Sequence, residues 1–221
     1  YFGRYLEILT NPSADAAVTV DLEVGSAFSQ NTRQIITTSS GDDLLQVTGV
    51  DTPDGWVVLD DQYLGDPFVG TPYNRAPTVF VWGPSGVDSA VYTPYAYPDN
   101  TLRSHLNYRW NGITVAPGET VAVMHFMVQQ VTRDGAAASA ARLMQLPPEA
   151  LVGLSPAEIG RIRNFSIPES GTSALAPLPE LSGEVGGRVL ASDEQTPALT
   201  GCTVYLTSDN IYFGRTYTQS L

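Results

Sequence analysis

Between Ala17 and Val24 the chain alternates: Val18, Val20, Leu22 and Val24 fall on one side, Thr19, Asp21 and Glu23 on the other. A period of two sets one face of an extended strand against a core and the other in water. Arg4 to Thr10 is strand-like as well. Asn11-Pro12-Ser13-Ala14-Asp15 between the two is turn chemistry, so the opening reads as a hairpin. Further extended runs are expected at Arg33 to Thr38, Leu44 to Val50, Trp56 to Leu59 and Thr78 to Trp82, separated by Gly-, Pro- and Asp-rich turns. A long Tyr- and Pro-rich connection then leads to Leu102 to Trp110, Ile113 to Val115, a turn at Ala116-Pro117-Gly118-Glu119, and a strand from Thr120 to Gln130. Val121 to Val128 is apolar on both faces apart from His125, the mark of a central strand that something must cover on each side.

The helical pattern lies just after it. Ala136 to Leu146 is alanine-rich and carries Leu143 and Met144 before Pro147-Pro148. A second helix opens at Ser155-Pro156-Ala157-Glu158, where serine is the N-cap and Glu158 completes a capping box. Ile159, Ile162 and Phe165 share one face of it, so the pair is expected to pack on the strands. From Ser166 to Gly183 periodicity stops, and Ala176-Pro177-Leu178-Pro179 reads as semi-rigid linker. Short strands with this punctuation predict a mainly β protein. Residues 1–168 form an antiparallel β-sandwich with a short helical pair at its C-terminal end, 169–182 a Pro/Ser-rich linker, and 183–221 a partial second β-sandwich module.

Charge narrows the function. The 221 residues carry 23 acids against 11 basic residues, all of them arginine, for a net charge of −12. Scattered arginines among more numerous carboxylates give no basic footprint, so nucleic acid is not an expected partner. No run reaches the roughly 18 to 20 apolar residues of a helical bilayer span, so membrane insertion is not expected. A single cysteine, Cys202, forms no internal disulfide. The chain opens at Tyr1 and closes on Tyr217-Thr218-Gln219-Ser220-Leu221, and it reads as a piece of a longer polypeptide. The tetrapeptide Tyr-Phe-Gly-Arg occurs at Tyr1 to Arg4 and again at Tyr212 to Arg215, but the flanks do not match and no repeat is inferred.

Gly187-Arg188-Val189-Leu190, followed by Thr196-Pro197-Ala198-Leu199-Thr200-Gly201-Cys202-Thr203-Val204-Tyr205-Leu206, resembles the opening of carboxypeptidase regulatory-like modules. The sequence departs from that pattern at Ala198, an extra residue between Pro197 and Leu199, and at Cys202, where a small residue is usual. The resemblance implies a small Greek-key β-sandwich, of which about half is present. Residues 1 to about 168 more loosely resemble domains found beside such modules in large secreted or surface proteins of bacteria. The features are Arg4-Tyr5-Leu6 with Thr10-Asn11-Pro12, Ser39-Ser40-Gly41-Asp42, Asp60-Asp61 with Asp66-Pro67, Pro117-Gly118-Glu119 before Met124-His125-Phe126, Leu154-Ser155-Pro156-Ala157-Glu158, and Asn164-Phe165. That resemblance implies an extracellular or cell-surface location and no particular chemistry.

Candidate chemistry is sparse. His105 and His125 are the only imidazoles, and no G-x-S-x-G elbow supplies a serine; Gly83-Pro84-Ser85-Gly86 has the wrong spacing. His125 in an apolar strand reads as a hydrogen-bonded core histidine, and His105 alternates with Arg103, Asn107 and Arg109 on a polar face. One cysteine and two distant histidines do not make a zinc site. Calcium takes carboxylate and carbonyl oxygens, and Asp60, Asp61 and Asp66 around Gly65 are its candidate ligands; solvated turn carboxylates are the alternative reading. Tyr92, Tyr95, Tyr97 and Trp110 are candidate ligand-binding rings for glycans or protein partners, against a loop that packs its own aromatics. The expected function is a non-catalytic structural and interaction segment in adhesion or in surface or filament assembly. It would work through self-association or neighbouring modules, with strand addition through Val185 to Leu206 of the incomplete terminal module as the chemistry. The alternative is a carbohydrate-binding or calcium-dependent recognition module attached to a secreted enzyme.

Overall fold

The computed structural model describes residues 2–29, 34–61, 63, 75–84, 86–96, 102–167, 173, 175–177, 203–207 and 216–220. The chain divides into two compact units, Tyr1–Pro177 and Leu178–Leu221. The first holds the strands β1 (Phe2–Thr10), β2 (Val18–Ser29), β3 (Gln34–Thr38), β4 (Trp56–Asp60), β5 (Thr78–Val81), β6 (Ser89–Ala96), β7 (Leu102–Val115) and β8 (Thr120–Gln129). Three helices follow: α1 (Arg133–Leu143), α2 (Pro148–Leu151) and α3 (Pro156–Ile159). One sheet runs β1-β8-β5-β4-β3 and the other β2-β7-β6, with every pair antiparallel. The unit is therefore an antiparallel β-sandwich with helical cover.

The two-faced apolar pattern of β8 has its explanation in two cores. Ala122, Met124, Phe126 and Val128 face α1, α2 and the 159–165 segment, where Ala136, Ala140, Leu143, Ala150 and Ile159 are buried. Val123 and Met127 face the other sheet and join Val57, Leu59, Phe80 and Trp82 against Leu106, Tyr108 and Trp110. Each large side chain fully buried in this way stabilises the fold by about 1.5–3 kcal/mol. Helix α1 starts where Thr132 accepts a hydrogen bond from Gly135 N, three residues before the expected Ala136. The capping box at Ser155 and Glu158 forms as expected, but α3 is a single turn. An additional turn, α2, begins at Pro148, where the sequence suggested only a stop.

Four expectations on strands are corrected. The first two strands are not a hairpin, because β1 pairs with β8 and β2 with β7, in different sheets. Asn11 causes the crossing. Its side-chain amide donates to Ala16 O at 2.8 Å and Val115 O at 3.0 Å, its main-chain N–H donates to Glu119 O, and its carbonyl accepts from Gly118 N. The two turns that cross between sheets, after β1 and after β7, are thereby stapled together. Leu44 to Val50 is not a strand, because carboxylates rather than a ladder take its main-chain donors: Asp42 accepts from Leu44 N and Asp54 from Gln46 N.

The two runs Leu102–Trp110 and Ile113–Val115 are one strand. Asn111 and Gly112 oppose the single residue Asp21, a bulge that Gly112 allows with φ of 64°. Finally, the Tyr-rich connection contains the edge strand β6, whose Pro94 hides the period-two pattern.

Where β5 stops short, Asn164 continues the sheet with its side chain. Its carboxamide accepts from Met124 N at 2.9 Å and donates to Met124 O and Trp82 O, as a strand's main chain would. Gly83 makes room for it: a Cβ there would lie 2.6 Å from Asn164 O, and its φ is 100°. In the second unit β9 (Thr203–Thr207) pairs antiparallel with β10 (Thr216–Ser220). Cys202, the 185–190 stretch and Tyr212 to Arg215 lie outside the described residues.

Candidate functional site

His125 sits in β8 directly opposite Tyr5 of β1 and points between the sheets. It is 4% exposed. Tyr108 of β7 reaches it from the other sheet with Oη 2.8 Å from Nδ1, and Glu7 of β1 places Oε1 3.3 Å from Nε2. An ionised carboxylate only accepts, so it fixes the ring proton on Nε2 and leaves Nδ1 to accept from the Tyr108 hydroxyl. Tyr5 stacks on the imidazole at 5.0 Å and 11°, and Tyr108 meets it edge-on at 5.6 Å. The result is one polar chain, hydroxyl to imidazole to carboxylate, beside the aromatic core between the sheets.

Burial is the main cause that lowers the His125 pKa below its usual range; the hydrogen bond and charge of Glu7 oppose it. Burial, with Glu7 and Tyr5 adding to it, raises that of Tyr108 well above the ordinary 10. Both effects keep the pair neutral, which suits a ring and a hydroxyl that satisfy each other. The order of groups matches a nucleophile relay, but Tyr108 is 1% exposed and its hydroxyl proton is already committed to His125. This arrangement fastens three strands: β7 from one sheet, and β8 and β1 from the other.

The other candidate residues fall elsewhere. His105 stands with Asn107 and Arg109 on the outer face of the β2-β7-β6 sheet, while Leu106, Tyr108 and Trp110 point inward. Asp60 accepts from Arg133 Nε at 2.6 Å and from Asp61 N; burial raises its pKa and the arginine opposes the rise. Asp61 accepts from Tyr63 N at 2.8 Å and Arg75 N at 2.7 Å. Arg133 thus occupies the cationic position beside Asp60, and no group of three or more His, Cys, Asp or Glu able to hold a metal occurs among the described residues. Asp66 and Tyr97 lie outside those residues, as does the side chain of Tyr95. Tyr92 packs on the inter-sheet core, and Trp110 is buried in it with Nε1 donating to Gly86 O.

A second polar centre was not foreseen from sequence. Asp54 is completely buried; Oδ1 accepts from Ser40 N and Ser39 Oγ, and Oδ2 from Gln46 N. Its carbonyl accepts from Trp82 Nε1 at 2.6 Å. Nor was the link from His125 to Glu7 and Tyr108 foreseen. The only signal for it is alternation: Tyr5 and Glu7 share a face of β1, and Tyr108 shares one of β7 with Leu106 and Trp110.

Fold and site together define a two-sheet antiparallel β-sandwich, helix-covered on one side, with a buried tyrosine–histidine–glutamate chain at the β1 edge. No family model, no curated protein and no solved structure matches the chain.

Proposed function

We propose that this chain is a non-catalytic structural segment of a large extracellular bacterial protein, joining a second copy of itself by strand addition along β1. The observation that carries this reading is the difference among the sheet edges. Natural edges are blunted by proline, bulges, shortness or charge. β6 contains Pro94, β3 has five residues and a register shift, and β2 carries the like charges Asp21 and Glu23 and lies against the β7 bulge at Asn111 and Gly112. β1 has no proline, no bulge and no shortening, and its two charges, Arg4 and Glu7, are of opposite sign. Its nine residues pair with β8 in unbroken register, its other side has no partner strand among the described residues, and Tyr5 and Ile8 are 43% and 54% exposed.

Self-pairing also suits the charges of β1. β2 carries Asp21 and Glu23 with no base, so two copies of it bring carboxylates together. β1 carries one Arg4 and one Glu7, and Arg4 donates to Ala150 O and Val152 O, both at 2.9 Å. An antiparallel pairing centred on Leu6 sets Tyr5 against Glu7 and Arg4 against Ile8, with no like charges opposed. Sedimentation velocity over a concentration series tests this with Ile8→Lys, which changes an exposed edge position, and Val91→Lys, which changes an exposed position of the other sheet. The wild type and Val91→Lys should dimerise alike, and Ile8→Lys should weaken the dimer by about tenfold or more, roughly 1.4 kcal/mol. A wild type that stays monomeric at every concentration, or an Ile8→Lys protein that dimerises like it, overturns the reading.

A further inference from the structure

We infer that the Glu7–His125–Tyr108 chain is an acid-released latch that seats edge strand β1 on β8 at neutral pH and loosens it when His125 takes up a proton. The inference concerns regulation of the edge just described and rests on that reading for its use, although the latch itself is a property of the single chain.

The geometry is specific to the neutral ring. With the proton on Nε2, donors and acceptors match: Nε2–H to Glu7, Tyr108 O–H to Nδ1. A second proton on Nδ1 turns that acceptor into a donor facing the tyrosine oxygen. The Tyr108 hydroxyl hydrogen then needs another acceptor in a position almost without solvent. The positive charge would also sit where the described neighbours are largely apolar or neutral: Tyr5 stacks above, and Tyr108 and Trp110 lie beside it. Glu7 is the one carboxylate that faces the ring among the described residues, and its side chain is 41% exposed, so its attraction is partly screened by water.

What relieves the charged ring is water, and β1 is the element that keeps water out. It supplies both the stacked Tyr5 and the Glu7 partner, and it is an edge strand with a single neighbouring strand, β8, among the described residues. Moving β1 away hydrates His125 without taking apart the β8-β5-β4 pairing behind it. Protonation therefore favours local opening of one strand before global unfolding, the behaviour expected of an element at the low-stability end of a fold.

Hydrogen exchange of the whole 221-residue chain at pH 7.5, 6.5 and 5.5, expressed as protection factors so that intrinsic pH dependence is removed, tests the latch. A hydrated histidine titrates near 6.5, so one pH unit below that its protonation can favour the open form by up to about tenfold. β1 amides should lose protection by several-fold up to that limit while β4 and β5 amides keep theirs, and His125→Phe should abolish the loss. His125→Gln, which keeps a neutral hydrogen-bonding side chain, serves as the second non-titrating variant should His125→Phe fold poorly. Unchanged β1 protection, a fall shared equally by β4 and β5, or the same β1 loss in a folded non-titrating variant overturns the inference. Run at a concentration where sedimentation finds only monomer, exchange reads β1 within one chain, so the outcome is independent of the dimer.

Discussion

Asp54 and His125 are both buried, yet their hydrogen bonds span the chain very differently. Asp54 gathers Ser39, Ser40 and Gln46, all within fifteen residues, and most of its donors are main-chain N–H groups. His125 joins side chains on β7 and β1, and Glu7 is 118 positions away. The first is a local knot that gives an irregular loop the hydrogen bonds it would otherwise find in a sheet. The second holds strands of opposite sheets together at an imidazole that burial keeps neutral until the pH falls below the usual histidine range. Asp54 fixes a shape, whereas His125 makes a contact conditional on pH.

Breaking the knot should have the larger effect. Asp54→Ala removes the buried acceptor of two main-chain donors and one hydroxyl; water can reach the part-exposed donors, so each lost bond costs about 1 kcal/mol and a loss of about 3 kcal/mol is expected in urea unfolding. Asp54→Asn keeps one acceptor oxygen and should lose about half as much. A loss under about 1 kcal/mol for the alanine variant would show that water or loop rearrangement replaces the carboxylate, and the contrast with His125 would collapse.

The His125 side of the comparison is sharpened by a double-mutant cycle with Tyr108. His125→Phe leaves the Tyr108 hydroxyl buried without its acceptor and should cost about 2 kcal/mol at pH 7.5. Adding Tyr108→Phe removes that unpaired hydroxyl, so the double variant should be less destabilised than the two single losses summed, by about 1 kcal/mol. The pH profile carries the sign. Burial holds the folded pKa of His125 below that of the unfolded chain, so its contribution is complete above about 6.5 and is lost as pH falls from there through the folded value. His125→Phe lacks this loss, and the two stability curves should converge toward pH 5.5. Parallel curves would remove His125 from the acid response.

The same contrast explains what could be read from sequence. Alternation reveals β2, and apolar residues on both faces of β8 correctly require two covers, because burial leaves its period in the residues themselves. His125 as a hydrogen-bonded core residue was legible for the same reason. The 44–50 stretch misleads because Leu44, Leu45, Val47 and Val50 look like a strand, while what decides their backbone is Asp54, a single residue whose burial has no periodic trace. The crossing of β1 into a different sheet from β2 depends on Asn11 reaching Val115, 104 positions on, and turn chemistry alone does not distinguish that from a hairpin. Nothing along the chain marks Glu7, since its partner is set by the register of β1 on β8. Local preference is written along the chain; long-range polar pairing is not.

Glu7→Gln gives the smallest effect and the finest division within the latch. The amide oxygen can still accept from Nε2–H, and a side chain 41% exposed contributes little through its charge, so stability at pH 7.5 should change by less than about 1 kcal/mol. Its removal matters to the proton instead. Glu7 is what draws the pKa of His125 upward against burial, through both its hydrogen bond and its charge. Without the carboxylate the ring should resist protonation further, and the midpoint of its proton resonances in an NMR titration should move to lower pH than in the wild type. The free-energy gap between protonating the open and the closed form then widens, so β1 should open over a longer acid range even though the variant is almost as stable at neutral pH. A midpoint that stays put or rises would mean that the carboxylate does not act on the ring, leaving Tyr108 as the sole partner of His125 and β1 held by its ladder to β8, the Arg4 hydrogen bonds and packing.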